Sequence, residues 1–196
     1  MKNALFLSLI LSVSLTGTAS AADGRDAEIY GSTDFAASGT PEAYDVFILG
    51  LLQLHNFEYD DARVSFLQAQ DLDPDFAMAY WGEALTHEHS LWSQHSLDAS
   101  RAALARLGDT PEERATKFAT DREKAYLHSV ELLFGEGSQE ERELLYSAAL
   151  GEIRESYPDD LDAAAFYALS LITTSHGGRD YARYMRAGAI AEDVLA

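Results

Sequence analysis

Helix start signals recur along this chain, and they constrain its fold more than any other feature. Thr110-Pro111-Glu112-Glu113, Thr120-Asp121-Arg122-Glu123 and Ser138-Gln139-Glu140-Glu141 each place a hydroxyl three residues ahead of a glutamate. In such a box the hydroxyl accepts from the third helical N–H, and the glutamate reaches back to the N–H of the cap. Thr40-Pro41-Glu42 is a fourth start, with proline at the first helical position, where its missing N–H costs nothing. Gly108, Gly135 and Gly177 stand where glycines end helices. Two starts inside residues 111–134 predict two helices there.

Between these marks the apolar spacing is helical. Tyr44, Phe47, Ile48, Leu51 and Leu52 share a face, as do Ala62, Phe66 and Ala69, and then Tyr80, Trp81, Ala84 and Leu85. No sustained alternation of period two occurs. The expectation is an all-α fold of about eight helices, mostly paired antiparallel.

The hairpins repeat. In residues 43–76, Leu49 and Gly50 stand where two helices would touch, and Ala62, Phe66 and Ala69 follow on the second helix. Pro74 closes the unit, and Ala84 falls 34 residues after Gly50. Small residues at these contacts let backbones approach, and Phe66 would fill the wedge beside them. This pattern resembles the tetratricopeptide repeat (TPR) family, and the run from Leu54 to Gly82 is similar to larger exported bacterial proteins built of such repeats. The resemblance implies helical hairpins stacked as a right-handed α-solenoid over residues 40–196. The second unit carries an insertion at about 87–96, which displaces its second helix. Leu161 to Leu171 and Arg183 to Ala196 are expected to form a later pair, while 97–134 matches poorly. The last helix lacks the expected closing proline and a polar capping partner, so truncation at the C-terminus is expected.

The chain opens with Lys2, an apolar run from Ala4 to Leu15, and Ala19-Ser20-Ala21. This is the layout of a secretory signal peptide over residues 1–21, too short in its apolar part to span a bilayer. Without a cysteine there can be no lipoprotein anchor, disulfide or thiolate metal site. The expected product is exported, periplasmic or secreted, with residues 22–39 as a flexible leader. The formal net charge is -19, which disfavours nucleic acid as a partner.

Two sites are expected. In a TPR-like stack the first helices of the hairpins line a groove. The positions that would face it are Tyr44, Phe47, Leu51 and Leu54, then Met78, Trp81, Leu85 and Glu88. They either receive an extended peptide or partner helix, or merely pack neighbouring helices. From Asp26 to Ser100 the one basic residue, Arg63, stands among fourteen carboxylates, which favours a basic or neutral partner over an anionic one. The second site is an edge where His55, Glu83, His87 and His89 could converge on a divalent transition metal. Trp92 is expected to anchor the insertion. No nucleophile elbow or phosphate loop is present. The leading expectation is an interaction module that is not an enzyme and uses no cofactor. A metal-binding accessory protein and a non-catalytic part of a longer enzyme are the alternatives.

Overall fold

A computed structural model describes residues 29–92, 94–174 and 178–195. The expected signal peptide, residues 22–28 of the leader and the helix end expected at Gly177 lie outside the described residues.

The fold is all-α, with nine helices among the described residues. They are α1 (Pro41–His55), α2 (Tyr59–Leu72), α3 (Ala77–Leu85), α4 (Leu97–Ala105), α5 (Pro111–Ala115), α6 (Asp121–Leu133), α7 (Gln139–Ser156), α8 (Leu161–Thr173) and α9 (Tyr181–Leu195). The five-residue α5 accounts for the count above eight. All three capping boxes form: Thr110, Thr120 and Ser138 each accept from the N–H of Glu113, Glu123 and Glu141. Thr40 makes no side-chain cap. Its own N–H donates instead to Asp73 Oδ2 at 2.9 Å, which ties the start of α1 to the end of α2.

Four hairpins follow one another, α1/α2, α3/α4, α6/α7 and α8/α9, and α2 also packs on α3 and α7 on α8. The poorly matched stretch 97–134 therefore divides between two hairpins: α4 is the displaced partner of α3, and α6 opens the next pair. The first helices also meet, α1 with α3 and α3 with α6.

Close approach explains the small residues. A Cβ on Gly50 would stand 3.0 Å from the Phe66 ring, and one on Gly82 only 2.4 Å from it. Phe66 is thus the wedge between α1 and α3. Ala62, Ala69 and Ala84 are fully buried beside it, Leu49 is half-buried, and Pro74 is exposed at the turn. Among the described residues no helix is long and apolar enough to cross a membrane.

Residues 31–39 correct the expectation of a flexible leader. They cross the first helices without regular secondary structure, and Phe35 is buried at 1% exposure. Its ring lies 5.7 Å from Phe47, 6.0 Å from Trp81 and 5.2 Å from Tyr126, centroid to centroid. The segment is polar enough to read as a linker, but one ring in contact with three others is enough to seat it.

Candidate functional site

The expected groove residues are present on the first helices, but most are covered. Phe47, Leu51, Leu54, Met78, Trp81 and Leu85 are buried, while Tyr44 and Glu88 are half-buried. As free contact residues for a partner, Phe47, Met78, Trp81 and Leu85 are therefore corrected. The Trp81 ring is covered by Phe35, by Tyr126 of α6 and by Phe166 of α8, whose ring meets it edge-on at 5.7 Å, and Phe35 also meets Phe47.

The covering strap is held largely through its backbone. Tyr44 donates its hydroxyl to the Phe35 carbonyl at 2.9 Å, and Arg122 Nη1 donates to the Ala36 carbonyl at 2.6 Å. Ser38 N–H donates to Glu123 Oε1 at 2.6 Å. The other oxygen of Glu123 accepts from the N–H groups of Ala119 and Thr120, so a capping-box carboxylate also grips the strap. Asn56 donates to the Tyr30 carbonyl, and Thr33 donates to Asp162. Arg122 lies 4.2 Å above the Phe35 ring and pairs with Asp160 at 2.7 Å. Burial, the largest single influence, lowers the guanidinium's pKa, but Asp160, Tyr126 and Asp162 together raise it above its ordinary value. Tyr126 also donates to Asp160, and burial pushes its phenol well above the usual value.

The histidine edge is arranged differently from the expectation. His55 bonds Asp162 at 2.8 Å and lies on the Phe166 ring. Glu83 is buried and bound by Gln70 at 2.7 Å and by Arg106. His89 bonds the Thr86 carbonyl and stacks on Tyr59 at 3.9 Å. His87 is half-buried, and its protonation is disfavoured first by burial, then by Arg63 and His89. His55, Glu83, His87 and His89 each have a separate role, and the expected convergence is corrected.

Instead, the insertion folds into a two-stranded hairpin, β1 (Glu88–His89) and β2 (Gln94–His95), with Glu88 directly opposite His95. A 3-10 turn, Ser90–Trp92, joins them. Trp92 packs edge-on to Phe57 and Tyr59 at 5.6 and 6.1 Å, the anchoring role expected of it, although it stays about half-exposed. Glu88 Oε1 accepts from Ser90 Oγ at 3.0 Å and meets His95 Nδ1 at 2.5 Å. Gln139, at the start of α7, bonds both His95 Nε2 and Glu143 Oε1. The carboxylates of Glu88 and Glu143 and the imidazole of His95 bring ligand atoms within 4.8 Å of one another, the one such group of three among the described residues.

This cluster borders a cavity of about 200 Å³ lined by Leu54, Leu85, Leu133, Phe166 and Leu169, with Tyr59, Glu88, Ser90 and Tyr146 at its polar end. Burial dominates the electrostatics there. It raises Glu88 above the usual carboxyl range against the pull of His95, and it raises Tyr59 to about 12. Sequence reasoning placed Glu88 on the groove, saw His95 beside the insertion but left it out of the ligand set, and missed Glu143. The available signal was the pair Glu88 and His95 flanking a Ser90–Trp92 turn; Glu143 carried no local signal.

No protein-family profile, no curated protein and no solved structure matches this chain.

Proposed function

We propose that this chain is an exported TPR-like α-solenoid that binds a protein or peptide partner along the groove of its first helices. It acts by holding the partner, not by chemistry. The observation that carries the reading is the seat of residues 30–38. There a segment that is irregular from Gly31 onward lies across α1, α3 and α6, with one aromatic ring buried among Phe47, Trp81 and Tyr126 and its carbonyls held by Tyr44, Asn56 and Arg122. Groove binding of extended peptides works this way: backbone hydrogen bonds supply grip, and a pocket for one side chain supplies selectivity.

A partner segment takes the place of the strap. The carboxylates of the first two hairpins favour a basic or neutral segment, and Arg122, which grips the strap, is already paired with Asp160 rather than left for an anionic end. The chain's own strap sets the affinity a partner must exceed, because an intramolecular segment competes at a high effective concentration.

The test uses the full chain carrying Phe35→Ala and a labelled synthetic peptide of residues 29–39. Saturable binding by fluorescence anisotropy is expected, with loss when the peptide itself carries Phe35→Ala. No saturable binding up to about 1 mM peptide would sink the reading, since affinity weaker than that leaves no useful recognition.

A further inference from the structure

We propose that Glu88, His95 and Glu143 form a binding site for one divalent first-row transition-metal ion, with zinc as the preferred occupant. The reading is independent of the peptide groove and rests on other residues.

Three elements fix the ligands. The hairpin register sets Glu88 and His95 face to face, and α7 brings Glu143 against them. Zinc binds imidazole nitrogen and carboxylate oxygen at about 2.0–2.2 Å, which puts neighbouring ligand atoms roughly 3–3.5 Å apart. The atoms here already lie within 4.8 Å of one another, so side-chain rotation alone closes the site. The donor set is one nitrogen and two oxygens without sulfur, which excludes the thiolate-seeking ions and suits zinc, manganese or ferrous iron. Calcium needs six or more oxygen ligands, and two glutamates cannot supply them.

Gln139 orients the imidazole. Its side-chain amide bonds His95 Nε2 at 2.5 Å and Glu143 Oε1 at 2.7 Å. With the amide turned over, its oxygen accepts from Nε2–H, its bond to Glu143 gives way as that carboxylate turns to the metal, and Nδ1 is left to face the metal. Such outer contacts fix the tautomer of a ligating histidine. Gln139 is a positioning residue, not a ligand. Three protein ligands leave open coordination positions, as in zinc sites that bind a water or a small molecule. Glu88 reaches the polar end of the adjoining cavity, so an apolar molecule with one ligating oxygen or nitrogen is the class that could complete the shell.

The full chain, stripped with a chelator, is titrated with cobalt(II) and then zinc. One equivalent of cobalt is expected to give the visible absorption of a low-symmetry nitrogen–oxygen site, and zinc to displace it. Glu143→Gln is expected to lower zinc affinity about 100-fold or more with unchanged far-UV circular dichroism, since losing a ligand exceeds losing an outer contact. Gln139 is exposed, so its removal does not threaten the fold, and Gln139→Ala is expected to weaken zinc about 10- to 100-fold. His87→Ala is expected to leave affinity unchanged. The proposal is overturned if the intact chain shows no saturable uptake at about 100 μM metal, a threshold well above useful affinity. Uptake that survives both Glu143→Gln and Gln139→Ala, or that disappears with His87→Ala, also overturns it.

Discussion

Replacing Phe35 by alanine isolates the contribution of the strap. The ring is 1% exposed and lies 5.2–6.0 Å from Phe47, Trp81 and Tyr126, with the Arg122 guanidinium 4.2 Å above it. Truncating a buried phenylalanine typically costs about 3–5 kcal/mol, the upper end applying where the site cannot collapse. Collapse is hindered here, because the surrounding rings belong to three different helices. The strap itself has no regular secondary structure and can detach, which limits the loss to the free energy that docks it. A destabilisation of about 3–4 kcal/mol is therefore expected, and for a chain of this size it lowers Tm by roughly 6–16 °C. Urea unfolding followed by far-UV circular dichroism measures the loss. Near-UV circular dichroism reports the packing of Trp81, and limited proteolysis within residues 31–39 reports release of the strap. A change below about 0.5 kcal/mol, the usual effect of an unconstrained surface position, would refute the docked strap and restore the flexible leader.

Two further predictions follow from the core. Gly82→Ala drives a Cβ to within 2.4 Å of the Phe66 ring, so overpacking of about 1–3 kcal/mol should outweigh the gain of about 1 kcal/mol in helix propensity; a urea midpoint that rises would contradict this wedge. Tyr126 ionises in the folded chain only well above 10, burial being the main cause, so its stabilising effect is full below pH 10 and fades as pH rises past it. An absorbance titration at 295 nm should show a late tyrosinate step that coincides with unfolding, and Tyr126→Phe should remove that step.

Much of the local structure was legible in the sequence because its causes are local. The hydroxyls of Thr110, Thr120 and Ser138 act within three residues, and each box forms. Gly50 and Phe66 were readable because their spacing reflects one hairpin. Gly82, which needs the same wedge from the other side, belongs to the next hairpin and was missed. Phe35 was illegible for a related reason. A single aromatic in an aperiodic run has no periodicity to reveal a buried face, and its neighbours in space lie on α1, α3 and α6. The histidine edge failed because nearness in sequence was taken for convergence. His87 and His89 are close along the chain, whereas the atoms that meet come from opposite strands and a distant helix.

The strap also alters what kind of folding unit the hairpins make. Stacked repeats contact only neighbours, so an open array can fray from either end. Here Ser38 reaches Glu123, and Thr33 reaches Asp162, across 85 and 129 residues of chain. These long-range closures join the start of the array to its third and fourth hairpins. The residues made first must wait for those made much later before they can dock. Loop closure of that span slows folding relative to a purely local helical array. In return, the hairpins it bridges come apart together rather than one at a time.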